Sequence, residues 1–185
     1  MLRLFIGAEL PPDCRKELAL IKPKSDKKAA KTKWVAAENM HITIKFLGGC
    51  DDDVPDKIIS ALADAVSNFE SFCFRLGELG GFPSLKKANI FWMGLAEGSE
   101  EMSDLAALVE KGLMPLGFEK ERRQFHPHVT LARLKRPQDL QEIALNQELD
   151  KPRGNLIKVE YVTLYKSTLT PNGAIYDVLE RVPLK

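Results

Sequence analysis

The chain has 185 residues, of which 44% are hydrophobic and 29% charged, and a net charge of +1. That length suits one domain or two closely joined lobes with an adequate core, and the balanced charge excludes a global field for gripping long nucleic acid, leaving only local contact with a small part of one. Cys14, Cys50 and Cys73 are odd in number and widely spaced, which excludes a disulfide framework or a cysteine metal pattern and fits a reducing, cytoplasmic setting.

In chain order, Leu2–Glu9 reads as a buried first strand. Its apolar run is too short for a signal segment or a membrane span and meets Pro11 and Pro12. Pro12–Ile21 follows as a helix with proline in its first turn. Lys22–Lys33 holds six lysines with Pro23 and Ser25, has no helical period, and reads as an exposed loop. His41–Leu47 alternates polar and apolar residues, a strand pattern. Val54–Phe69 carries a helical stripe of Val54, Ile58, Leu62, Ala65, Val66 and Phe69. Phe72–Leu79 and Ile90–Leu95 read as strands. Ser99–Leu113 reads as a helix from Leu105, Leu108 and Val109, although Met102 stands where a capping box wants an acid. His128–Leu134 is a further strand and Gln138–Leu149 a weaker amphipathic helix. Leu156–Ser167 and Ala174–Val182 close the chain as strands joined across Thr170-Pro171-Asn172-Gly173, a strong turn signal. This order predicts an α+β fold with mostly antiparallel pairing.

One tetrapeptide recurs, His-x-Thr-x: His41-Ile42-Thr43-Ile44 and, 87 positions on, His128-Val129-Thr130-Leu131. Two of the three histidines head these copies. On a strand, residues two apart share a face. His41 with Thr43, and His128 with Thr130, are therefore expected on one face, with the aliphatic residues turned into a core. Each copy precedes a helix and then two strands, a weak internal symmetry that suggests two related lobes. Histidine exchanges protons near neutrality, so one ring can take a proton from a nucleophile while the other gives one to a leaving oxygen. Threonine hydroxyls beside them can donate to phosphate oxygens where charge builds up. By parity Lys45 joins the face of His41 and Thr43. Arg133, five after His128, falls on the opposite face of a flat strand and needs a bulge to re-aim it.

Two rival readings stand beside this one. His41, His126 and His128 together would supply the three nitrogen ligands of a catalytic zinc. Pro127 argues against this by placing His126 at a strand edge. The chain could also be a non-catalytic RNA-binding module.

With these residues in view, the chain resembles the 2H phosphoesterase superfamily, named for its paired His-x-Thr/Ser-x motifs, and within it the bacterial and archaeal RNA 2′,3′-cyclic phosphodiesterases, also called 2′-5′ RNA ligases. The resemblance runs from Arg3–Pro11 through Trp34-Val35 and Glu38–Gly48, Gly81–Ser84 with Ile90–Gly94, and Phe125–Arg133, to Leu164–Ser167 with Leu169–Gly173 and Tyr176. It implies a single bilobal domain over residues 1–185: two pseudo-symmetric lobes of mostly antiparallel sheet, helices outside, and a central cleft with one motif per lobe. It implies hydrolysis of RNA 2′,3′-cyclic phosphate ends to 2′-phosphate ends, with His128 as general base on water and His41 as general acid on the departing 3′ oxygen. Thr43 and Thr130 would hold the phosphate, with Arg133 and Lys45 as further phosphate contacts. It implies no metal or nucleotide cofactor, and 2′-5′ ligation as the reverse type of step. The expected partners are RNA ends bearing a cyclic phosphate, transfer-RNA halves among them, for a monomeric protein with no membrane association. Trp34, Phe46, Trp92 and Tyr165 are candidates to stack on a terminal base. Lys22–Lys33, Lys86-Lys87 and Arg122-Arg123 are candidates for a basic rim. His126 is left without a role.

Overall fold

The computed structural model describes residues 1–21, 32–141, 144, 153–171 and 173–185. The nine strands among these residues are β1 (Leu2–Glu9), β2 (Thr32–Trp34), β3 (His41–Cys50), β4 (Phe72–Phe82), β5 (Ala88–Glu97), β6 (Val129–Gln138), β7 (Arg153–Val159), β8 (Tyr161–Thr170) and β9 (Gly173–Pro183). Among the described residues the helices between them include α1 (Pro12–Ala19), α2 (Pro55–Val66) and α3 (Ser99–Leu113). No helix among the described residues is long and apolar enough to cross a membrane.

All the strands belong to one antiparallel sheet in the order β7-β4-β5-β6-β3-β1-β8-β9, with β2 pairing the far part of β6. The order is symmetric about its centre. β3 and β6, the two motif strands, are neighbours, and each is followed outward by three strands of its own half. They meet at a single bridge, Ile42 opposite Val129, with Ile42, Val129 and Leu131 fully buried. The expected pair of lobes is thus two halves of one sheet.

The helices form because their apolar residues recur at helical spacing. Ile58, Leu62 and Val66 of α2, and Met102, Leu105, Val109 and Leu113 of α3, are fully buried in the same core as the inward residues of the sheet. Helices α2 and α3 pack on each other, with α3 also against β3 and α2 against β9. This leaves the opposite face of the central strands for the histidines.

Two expectations change. The last two residues of Lys22–Lys33, Thr32 and Lys33, belong to β2, which is drawn into the sheet by pairing with Leu134 and Arg133. The rest of that stretch lies outside the described residues, as does most of Gln138–Leu149. The run Leu156–Ser167 is extended throughout but divided at Glu160, with β7 paired to β4 and β8 paired to β1. Since one residue separates two strands from opposite halves of the order, the sheet curls until its ends meet. That seam is closed by Leu184, whose N–H donates to the Glu160 carbonyl at 2.8 Å, and by Ser71 and Lys185, whose N–H groups donate to the Lys185 and Phe69 carbonyls at 2.8 and 2.9 Å.

Candidate active site

Both motifs carry the same local irregularity. On β3, Thr43 faces Gly7 and Lys45 faces Ile6, so Ile44 is an extra residue. On β6, Thr130 faces Trp92 and Ala132 faces Phe91, so Leu131 is the extra one. An unpaired residue inserted in a strand reverses the alternation beyond it. Accordingly Ile44 and Lys45 are both buried, as are Leu131 and Ala132. The Leu131 carbonyl is taken by the Val35 N–H at 2.8 Å, which satisfies a group the ladder leaves over.

The bulges decide two residues in opposite ways. Arg133 is turned to the histidine face, exposed and close enough to both imidazoles for its charge to act on them. The β6 bulge is the re-aiming device that the flat-strand count lacked. Lys45 is turned away from that face, a correction to the parity argument that put it beside the phosphate. It is 7% exposed and forms an ion pair with Glu110 of α3, and its ammonium donates to the Glu119 carbonyl at 2.8 Å. Glu110 also accepts the Glu121 N–H at 3.0 Å, so this pair pins the loop that leads toward the second motif. The position five after His41 is Phe46, which stands where Arg133 stands in the other half, 65% exposed.

Each imidazole is oriented by backbone. The His41 Nδ1–H donates to the Asn39 carbonyl at 2.7 Å, and the His128 Nδ1–H to the His126 carbonyl at 2.6 Å. A carbonyl only accepts, so the proton sits on Nδ1 in both rings and Nε2 is the atom left to exchange protons. His41 Nε2 lies 3.0 Å from Thr43 Oγ1. Asn39 is held in turn by its amide, which donates to the Ala174 carbonyl at 2.7 Å.

Aromatic walls enclose the two rings. Phe5 lies 4.8 Å from His41 and stacks on Tyr165 at 4.8 Å, while Tyr176 meets His41 edge-on at 5.3 Å. Gly7 makes room for this, since a Cβ there would lie 2.8 Å from the Ile42 carbonyl oxygen and 3.3 Å from the His41 ring. On the other side Phe82 stands edge-on to His128 at 5.1 Å, and Trp92 is 6.0 Å from it. Gly80 plays the matching part, because a Cβ there would land inside the Trp92 indole.

Burial holds the His41 ring well below the ordinary histidine range, at about 4. Repulsion from Arg133 and His128 adds to this and the Asn39 carbonyl works against it. His128 is lowered by burial first, then by His126 and Arg133, against the pull of the His126 carbonyl. In the free cleft the rings are therefore neutral near pH 7, and a bound phosphate would draw protons back onto them.

The stacking candidates sort themselves by face. Trp34 pairs with Ala132 and meets Phe91 edge-on at 6.1 Å, on the core side. Trp92 and Tyr165 line the site but are each 7% exposed. Phe46 alone of the four is well exposed. Lys33, opposite Arg133 in the β2–β6 ladder, shares its face and is an exposed cation the sequence reading had placed in a loop. The walls Phe5 and Phe82 were also missed. Their signal, an aromatic beside a glycine-lined strand, is too common to single out. Among the described residues no group of three or more His, Cys, Asp or Glu is placed to hold a metal ion. His41, His126 and His128 do not converge as zinc ligands, because His126 is drawn against Trp92 and Phe82 on the far side of His128.

A symmetric antiparallel sheet with one His-x-Thr motif from each half at its centre defines a two-motif α+β class. The chain belongs to the 2′-5′ RNA ligase superfamily, whose family profile matches residues 10–169. It is 36% identical over 151 residues to the RNA 2′,3′-cyclic phosphodiesterase of Aeropyrum pernix, covering 81% of this chain and 85% of that one. It is 33% identical over 178 residues to the protein of the same name from Thermotoga maritima, covering 96% and 93%. Among solved structures it is similar to E. coli LigT complexed with 3′-AMP, with TM-score 0.75 and 26% identity over 100% of this chain and 98% of that one. A structure from Thermus thermophilus matches with TM-score 0.79 and 25% identity over 99% and 98%.

Proposed function

We propose that the protein hydrolyses RNA 2′,3′-cyclic phosphate ends to 2′-phosphate ends without a metal, and that it can run the related 2′-5′ ligation. The observation that carries this is the matched pair of imidazoles, one from each half of the sheet, each with Nδ1–H committed to a backbone carbonyl, which makes Nε2 the atom that exchanges protons. His128 acts as general base on water. The new bond forms at phosphorus, the bond to the 3′ oxygen breaks, and His41 gives that oxygen its proton. Thr43 and Thr130 donate to the non-bridging oxygens and the Arg133 guanidinium balances their charge. Phe46 offers a face to the base of the terminal nucleoside. The substrates are RNA ends in the cytoplasm, transfer-RNA halves among them, and the protein acts as a monomer.

The relatives named as RNA 2′,3′-cyclic phosphodiesterases support this reading over a zinc hydrolase or a silent binder. The test is purified protein with excess chelator and an RNA ending in a cyclic phosphate, the product read by phosphorus NMR. A 2′-phosphate should appear, and His41→Ala or His128→Ala should lower the rate by about 10²–10⁴-fold. Activity lost to chelator, or retained in either variant, would overturn it.

A further inference from the structure

His126 has no part in the hydrolysis above, yet its side chain is closely placed. It is exposed at the mouth of the site, with its ring 4.7 Å from Trp92, 5.7 Å edge-on from Phe82 and 6.2 Å from His128 at an interplanar angle of 29°. Phe82 belongs to β4 and Trp92 to β5, strands that lie beyond β6 from β3. His126 and Phe82 thus form an aromatic ledge on the side of His128 remote from His41. The other half has its own ledge in Phe46.

Displacement at phosphorus places the attacking and leaving oxygens roughly in line, on opposite sides. The 3′ oxygen leaves toward His41, and its nucleoside belongs on the Phe46 side. The attacking oxygen enters beside His128. Water has no use for a ledge there. A 5′-hydroxyl brings a nucleoside whose base presents a face to stack.

We propose that His126 and Phe82 form a binding site for the 5′-terminal nucleoside of a second RNA strand carrying a free 5′-hydroxyl, the acceptor in 2′-5′ ligation. This rests on the proposed cyclic-phosphate reaction and on His128 as its base. In the step, the 5′ oxygen bonds to phosphorus and passes its proton to His128. The bond from phosphorus to the 3′ oxygen breaks, and His41 supplies the proton that makes the 3′-hydroxyl. The product is a 2′-5′ phosphodiester, and the two histidines regain their starting states by proton exchange with solvent. Occupancy of the ledge decides whether water or the second strand is the nucleophile.

The experiment presents the protein with a cyclic-phosphate RNA and increasing amounts of a 5′-hydroxyl oligoribonucleotide, and measures the ratio of ligated to hydrolysed product. The ratio should rise and saturate. At fixed acceptor it should fall at least about fivefold in His126→Ala, the lower end of what one base stack contributes, and recover in His126→Phe. An unchanged ratio in His126→Ala would overturn the site. So would a ratio that collapses in Phe46→Ala but not in His126→Ala, which would put the acceptor on the other side. A wild-type protein that hydrolyses the cyclic phosphate yet gives no ligated product and no response to the acceptor would overturn it too. Loss of hydrolysis itself in the wild type is a separate result, which removes the proposed function and this site with it.

Discussion

His41 is enclosed by Phe5, Tyr165 and Tyr176, and its low proton affinity has consequences on two readouts. Its folded value of about 4 lies below the unfolded 6.5, so between those values the unfolded chain binds the proton and the folded one does not. The stabilising contribution is complete above pH 6.5 and is lost as pH falls toward 4. Urea midpoints should therefore drop over that window, and His41→Phe should flatten the drop. A midpoint that stays constant across the window would contradict the assignment. For catalysis, the limbs of kcat/KM report the free enzyme's acid and base as a coupled pair. Both rings are held low, so the optimum should fall on the acid side of 6.5. Arg133 tests the same cluster from another direction. Arg133→Ala should lower kcat/KM by about 10–100-fold, the worth of a charge-assisted hydrogen bond, and move both limbs to higher pH because a repelling cation is gone. An optimum that does not move would place the guanidinium elsewhere.

The strand is the level at which Lys45 and Arg133 part company. Alternation along His41–Ile44 and His128–Leu131 was legible from the residues because side chains on a strand repeat every two positions. The position of the bulge was not. It depends on which residues of β1 and β5 lie opposite, and on the Val35 N–H that takes the Leu131 carbonyl, partners remote in sequence. Lys45 therefore belongs to the architecture. Lys45→Met leaves the Glu110 carboxylate unpaired and should cost about 3 kcal/mol of stability in denaturant titration. The double variant Lys45→Met, Glu110→Leu should recover most of that and keep the wild-type KM. A KM that stays high in the stable double variant would return Lys45 to the phosphate. Gly80→Ala tests the wall behind His128. With no space beneath the indole, Trp92 must move, and both stability and kcat should fall together.

Across the whole molecule, a net charge of +1 gives little long-range pull, and among the described residues Arg133 and, beside it, Lys33 are exposed cations on the histidine face. Binding of a short cyclic-phosphate RNA should weaken with salt at a log–log slope of about −0.7 per phosphate neutralised, roughly −1 in all. A slope much steeper than about −3 would show that a longer basic track takes part. The curled sheet explains why the site is built from both halves. Closing the seam at Glu160 holds the halves together on one side, while the bridge between Ile42 and Val129 holds the two motifs side by side at the centre.

Local pattern along the chain was enough for the paired motif, the shared face of each histidine with its threonine, the buried aliphatic fill, the helices α1, α2 and α3, and the closing hairpin. These follow from periodicity and turn chemistry, which act between near neighbours. It took the assembled sheet to turn Arg133 to the histidine face and Lys45 away from it, to set Lys33 on a strand beside Arg133, and to divide the run Leu156–Ser167 between two halves of the sheet. Each of those depends on cross-strand register, which is set by residues tens of positions away and leaves no local pattern to read.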